Sequence, residues 1–345
     1  MKAIVFDKSL PITEPNALFE TELPKPEASG RDLLIKVQAI SVNPIDSKLR
    51  LRLLPEKGEP KTLGFDAVGI VEEVGEKVCL FKKGDRVFYA GDMTRAGSNA
   101  EYQLVDERIV GSAPSSLTDE GLAAMPLTCI TAHELLFDRL QFDQTSSYTK
   151  HPNVLLVTAG AGGVGSALIQ LAKAKCRQNI VIATASKEES KAYCKQLGAD
   201  YVIDHSPQRE SIAEQIKALG IAPVSHIASL THTSQHFDDF IEVIKPQGKI
   251  ALIDDPAEPL NIQALKLKSV SLHWELMFTR SKFETDDMVR QHFILNEVSE
   301  LLERDKIQST MKQHFGSITA ANLIKAHEAI ETGQTMGKIV LSGWD

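Results

Sequence analysis

The sequence predicts an α/β protein, a doubly wound parallel sheet inserted in a β-rich domain. Three observations carry this expectation. The first third alternates apolar stretches with Gly, Pro and Asp turn signals, the middle alternates continuously apolar strands with helical segments, and the last strand returns to the β character of the first third. At 345 residues the chain exceeds what one hydrophobic core usually supports, so two domains are expected. Residues 1–125 are assigned to the β-rich domain, 126–270 to the doubly wound one, and 271–345 to the return into the first.

Taken in order, "MKAIVFD", "DLLIKVQAISV", "FDAVGIVEEVG", "GDRVFYA" and "AEYQLVDERIV" read as strands of a small barrel-like domain, separated by turns such as "KKGD". From Val154 onward the apolar stretches "VLLVTA", "NIVIATA", "DYVID", "VSHIAS", "KIALID" and "VSLHW" are short and unbroken. That pattern suits a parallel sheet covered by helices on both faces. The intervening helices are expected over "GVGSALIQLAKAK", "KEESKAYCKQLGA", "PQRESIAEQIKALG" and "HFDDFIEVIKPQG", ending at Gly or Pro-Gly stops. A long amphipathic helix, "MVRQHFILNEVSELLERD", then precedes a strand "MKQHFG", a helix "ANLIKAHEAIET" and the closing strand "GKIVLSG".

Composition narrows the function classes. A formal net charge of −8 and the absence of a basic run argue against nucleic acid and anionic membrane surfaces as partners. The N-terminus lacks a long apolar run with a small-residue cleavage site, and the uncharged stretch from Val154 to Ala172 is interrupted by glycines, Thr158, Ser166 and Gln170. A cytoplasmic protein with no membrane span is therefore expected. Cys79, Cys129, Cys176 and Cys194 are scattered, without a C-x-x-C pair, as expected in a reducing compartment.

Within "VLLVTAGAGGVGSALIQLAKA", Gly160, Gly162 and Gly165 follow the G-x-G-x-x-G spacing between a strand and a helix. Such a turn lets a dinucleotide pyrophosphate approach the backbone, with Gly163, Val164 and Gly165 opening the helix whose amides face it. The acidic residue that would bind the ribose hydroxyls of NAD is absent from the end of the next strand, where Ser186 and Lys187 stand instead. A hydroxyl and an ammonium suit a ribose 2′-phosphate, so NADPH is the expected cofactor. Glu188 and Glu189 are the counter-evidence, because either carboxylate could bind a ribose diol. Ser186 is also placed to cap the following helix, with Glu189 closing a capping box.

The motifs "GFDAVGIVEEVG", "FKKGDRVF", "AEYQLVD", "MPLTCITAHELL", the glycine turn and "GKIVL" together resemble the medium-chain dehydrogenase/reductase superfamily over nearly the whole chain. The resemblance is to its NADPH quinone oxidoreductase-like branch, which includes bacterial chains described as zinc-type alcohol dehydrogenase-like. It implies a GroES-like catalytic domain, a Rossmann domain, a homodimer with "SVSLHW" as an edge strand, and His205 beside the adenosine ribose. Zinc-using members carry a Cys where this chain has Asn43, and Gly-His-Glu where it has Gly64, Phe65 and Asp66. Phe65 has no donor atom and an amide is a poor substitute for a thiolate, so no zinc is expected. His232 and His236 lack the Glu of an H-E-x-x-H pattern and are not assigned to a metal either.

Without a Lewis acid, hydride transfer to a quinone or an α,β-unsaturated carbonyl is easier than oxidation of a simple alcohol. The resemblance implies the same substrate class. Asn43 is the first candidate for a hydrogen-bond donor to the developing charge, and equally a turn former before Pro44. Asp46 is placed to orient a neighbour, to titrate or to cap the next helix. The resemblance sets Thr128 near nicotinamide. Tyr89, Trp274, Met277 and Phe278 are candidates for an apolar acceptor pocket, and each also suits ordinary core. Two alternatives stay open: an NAD(P)-linked dehydrogenase of another small substrate, and an NADPH-binding redox sensor without turnover.

Overall fold

The computed structural model describes residues 1–56, 58–143, 152–206 and 208–344. The chain divides into two compact units, Met1–Ile130 with Phe278–Asp345, and Thr131–Met277. The divisions fall a few residues beyond the expected 126 and 270.

In the first unit a long strand, Asp32–Val42, organises a seven-stranded sheet. Lys338–Ser342 pairs antiparallel along one side and Asp66–Val74 along the other. Met311–His314 extends the sheet beyond Lys338–Ser342, while Arg86–Tyr89 and Val110–Ser112 extend it beyond Asp66–Val74. Tyr102–Asp106 pairs with the first half of Asp32–Val42. A separate three-stranded sheet places Lys2–Phe6 between Phe19–Glu22 and Lys61–Thr62. Phe6, Leu33, Ile35, Ile40 and Ile339 lie in the buried core between these layers. Each such side chain contributes about 1.5–3 kcal/mol by leaving water.

Register decides what meets at the end of the central strand. Ser41 lies opposite Asp66 and Val42 opposite Ile339. Asn43, one residue beyond the strand, is therefore flanked by the first residues of both neighbouring strands, Asp66 and Lys338. A helix, Pro44–Arg52, begins immediately after it, with Pro at the position where a missing N–H costs nothing.

The second unit is a six-stranded parallel sheet in the order Tyr201–Ile203, Ile180–Thr184, Val154–Val157, Val224–Ser229, Ile244–Leu252, Ser271–Trp274. Val154–Val157 and Val224–Ser229 are buried at every position, which explains their continuous apolar runs. The strand order reverses between these two, and the glycine turn leaves the end of the first at that switch point. Helices Gly163–Lys175, Glu188–Gln196, Ile212–Ala218 and Thr233–Val243 connect the strands. The first residue of the expected third helical segment, Pro207, lies outside the described residues.

Two expectations about elements need correction. The helix expected over "HFDDFIEVIKPQG" stops at Val243, and Ile244–Leu252 is one strand. Pro246 lacks an amide hydrogen and disfavours helical backbone at Lys245, so the chain turns extended there and crosses a bulge before its register settles. The strand expected through "AEYQLVDERIV" is broken by a short 3₁₀ turn, Glu107–Ile109. There the Asp106 side chain accepts the Arg108 N–H at 2.9 Å, and the buried Glu107 carboxylate accepts from the Cys79 and Leu80 amides. Among the described residues no helix is long and apolar enough to cross a membrane.

Candidate functional site

The glycine turn is tightly built. Gly160 N–H donates to the Thr184 carbonyl at 3.0 Å and Ala159 N–H to the Thr184 hydroxyl at 3.0 Å, fastening the turn to the neighbouring strand. A Cβ on Gly160 would lie 2.7 Å from Ala183 Cβ, and one on Gly165 would lie 2.4 Å from the Ala159 carbonyl oxygen. These two glycines let the helix pack against the turn. Gly162 differs: an added Cβ would meet only the Ala159 oxygen, at 3.3 Å, so its outer side is open. It caps the helix Gly163–Lys175, whose first turn consists of Gly163, Val164, Gly165 and Ser166. Helix-opening amides beside an open glycine are what a pyrophosphate requires.

At the end of the next strand Ser186 and Lys187 are exposed. The helix begins one residue later than expected, so Lys187 and not Ser186 is its cap, and Ser190 rather than Glu189 completes the local bonds. The Ser190 hydroxyl accepts the Lys187 N–H at 3.1 Å and donates to the Lys187 carbonyl at 2.8 Å. The Ser186 hydroxyl is thereby released from capping. Glu188 is engaged by Lys191 at 2.9 Å, and Lys191 also reaches Asp204 at 3.0 Å. Desolvation would raise the Asp204 carboxyl, yet hydrogen bonds from Ser206 and Lys191 hold it at about 2. His205 follows it, half-buried, with its pKa lowered by burial against the opposing Asp204 charge. The buried His205 Nδ1 has no hydrogen-bond partner.

In the first unit the strand ends bring together a cluster that sequence reasoning only half foresaw. Asn43 is 1 % exposed, Asp66 0 % and Lys338 3 %. Asn43 Nδ2 donates to Asp66 Oδ2 at 2.8 Å and, at a long 3.4 Å, to the Ser41 carbonyl. Its Oδ1 accepts from Lys338 Nζ. Lys338 Nζ also donates to the Val42 carbonyl and to Asp66 Oδ2, each at 3.0 Å. Asp66 Oδ1 accepts the Leu127 N–H at 2.7 Å, at the start of the helix Pro126–His133. The Asn43 amide is thus held inside the protein, and the role of donor to a substrate does not fit its contacts. Lys338 was missed because "GKIVL" reads as an ordinary strand; the signal was a Lys at the buried start of an otherwise apolar strand.

Asp46 accepts the Asn43 N–H at 2.8 Å through Oδ2, and the Gly64 backbone amide also lies close enough to favour its charged form. Desolvation pushes its carboxyl up to about 7, against the Asn43 hydrogen bond and the Lys338 charge. Thr128, 2 % exposed, bonds back to the Met125 carbonyl at 3.2 Å within its own helix. Cys129 beside it is a buried thiol whose pKa burial pushes up.

The expected acceptor-pocket residues are placed differently from one another. Tyr89 is fully buried in the core, its hydroxyl donating to Gln103 Oε1 at 2.9 Å. Phe278 is buried with its ring 4.7 Å from that of Phe65. Met277 is buried, whereas Trp274, at the end of the edge strand Ser271–Trp274, is 57 % exposed. Among the described residues no group of three or more His, Cys, Asp or Glu could hold a metal ion.

A strand-rich unit with a returning C-terminus, and a parallel sheet whose glycine turn opens a helix, define a two-domain oxidoreductase. Residues 29–124 match the alcohol dehydrogenase GroES-like domain and residues 163–290 the zinc-binding dehydrogenase domain. The zinc-type alcohol dehydrogenase-like protein of Staphylococcus aureus strain Mu50 is 40% identical over 343 residues, 99% of this chain and 100% of its own. The quinone oxidoreductase of Lama guanicoe is 32% identical over 270 residues, 77% of each chain. A solved structure from Rhizobium etli CFN 42, provisionally described as a zinc-dependent alcohol dehydrogenase, superposes with a TM-score of 0.95 at 44% identity, covering 100% of this chain and 98% of that one. The chain belongs to the medium-chain dehydrogenase/reductase superfamily, in its quinone oxidoreductase-like branch.

Proposed function

We propose that this protein is a zinc-independent, NADPH-dependent reductase of quinones or α,β-unsaturated carbonyl compounds. The observation that carries the reading is the fate of the metal donor set. Zinc is implied by the description of the matching family model, but the residues present do not fit it. The Asn43 oxygen is taken by Lys338, Phe65 has no donor atom, and both Asp66 oxygens accept hydrogen bonds from Leu127, Asn43 and Lys338. Cys129 is not joined by a group of His, Cys, Asp or Glu that could hold a metal ion among the described residues. A cation is already built into the place through Lys338.

The cofactor residues fit NADPH. Gly160, Gly162, Gly163, Val164 and Gly165 would receive the pyrophosphate; Ser186 and Lys187, with His205 nearby in sequence to the third strand, would hold the 2′-phosphate. Glu188 pairs with Lys191 at the surface, and Glu188 and Glu189 remain the carboxylates that an NAD-binding alternative would use. When bound, the nicotinamide supplies hydride. Asn43, Asp46 and Thr128 are the residues proposed to frame the reaction, and Asp46 is the one able to hold or release a proton near neutral pH. Trp274 remains a proposed apolar contact for a flat acceptor, whereas Met277 and Phe278 are as buried as Tyr89. The protein is further proposed to be cytoplasmic, with its described cysteines free, and to pair as a homodimer through the edge strand Ser271–Trp274.

The test is a screen of NADPH oxidation with quinones, enals and enones, run beside NADP⁺ reduction with simple alcohols. Turnover is expected with the conjugated acceptors and not with the alcohols. Rapid alcohol oxidation with no turnover of any conjugated acceptor would overturn the proposal.

A further inference from the structure

The Lys338 ammonium has three hydrogens, and three oxygens receive them: the Val42 carbonyl, Asn43 Oδ1 and Asp66 Oδ2. Asp66 in turn holds Asn43 through Oδ2 and the Leu127 amide through Oδ1. One buried ion pair therefore fastens three segments that are remote in sequence: the turn at Asn43, the start of the helix carrying Thr128, and the final strand. Burial of an ion pair is not in itself evidence of stabilisation, since apolar residues of similar volume often serve as well. What it does provide is fixed geometry, because each of the three ammonium hydrogens and both Asp66 oxygens is committed to a protein partner.

We propose that Lys338 is a positioning residue for hydride transfer, an internal tethered cation that, through Asp66, sets Asn43 and Thr128 relative to one another. The inference deepens the proposed function and rests on it for the reaction, while the geometry it claims is measurable without any substrate.

Lys338→Ala removes the ammonium and leaves space for propylammonium, which matches the deleted atoms. The variant is expected to lose about 10- to 100-fold in kcat/KM with the loss in kcat, while NADPH affinity changes by less than about threefold. Added propylammonium is expected to restore part of the activity in this variant and none in the wild type. Hydrogen exchange over residues 41–46 and 124–130 is expected to quicken in the variant and to slow again with the amine. Where Lys338→Ala does not fold, the charge-balanced Lys338→Met/Asp66→Asn pair takes its place, with the same kcat loss expected. Wild-type kcat/KM in either form, or unchanged exchange in both segments, would overturn the inference. A wild-type enzyme that turns over no conjugated acceptor would overturn the proposed function alone, because the exchange measurement still decides the role of Lys338.

Discussion

In the proposed function, Lys187 is the residue on which the choice of cofactor turns. It caps the helix Glu188–Gln196 through its backbone, so substitution of its side chain leaves the Ser190 bonds in place. Lys187→Ala is expected to weaken NADPH binding by about 1.5–3 kcal/mol, the loss of one charge-assisted contact to phosphate, and to leave NADH binding nearly unchanged. Fluorescence titration of both cofactors checks this. Asp46 carries the pH dependence. Its carboxyl is raised from 3.8 to about 7 by burial, so the folded protein holds a proton that the unfolded chain releases. The stabilising linkage is complete below the unfolded value and is lost as pH rises through the folded one. Asp46→Asn is expected to remove that component, so the wild type loses stability relative to the variant between about pH 4 and 7. Parallel wild-type and variant melting curves across this range would contradict it. At this scale the sequence was informative about types and poor about partners. Asn43 and Asp46 stood out as polar residues in a turn, but the bonds of Asn43 to Asp66 and Lys338 connect positions more than twenty residues and nearly three hundred residues away, through strand register that no local pattern encodes.

Among elements, the glycine turn was legible because each of its residues answers to a local steric demand. Gly165 packs against the Ala159 carbonyl and Gly160, both backbone, so neither can yield. Gly165→Ala is expected to destabilise the second unit by about 1–3 kcal/mol or more, the range of overpacking a close contact. Gly162→Ala, facing open space at its outer side, is expected to change stability by less than about 1 kcal/mol and instead to weaken cofactor binding, since the new methyl enters the approach of the pyrophosphate. Thermal melting with and without NADPH separates the two effects. The central strands were read correctly from unbroken apolar runs, because burial on both faces leaves that signature. The boundaries that shifted did so where backbone chemistry outweighed side-chain periodicity, at Pro246 and at the Asp106 turn. Tyr89 was ambiguous for a related reason: an aromatic near the end of an apolar strand suits a pocket wall or a core equally well, and its full burial and bond to Gln103 come from the fold.

For the molecule as a whole, the two units divide the work that the sequence assigns. The parallel sheet of Thr131–Met277 carries the glycine turn and the Ser186–Lys187 pair, while the strand-rich unit carries the Asn43, Asp46, Asp66 and Lys338 cluster. Zinc independence is what sets the proposed chemistry apart from that of the zinc-using members of the superfamily. The most direct measurement is zinc content and NADPH-linked reduction of a quinone on one sample, before and after exhaustive chelation. The expected result is far less than about one zinc per chain and full activity after chelation. About one zinc per chain, with activity lost on chelation and regained on adding zinc, would contradict it.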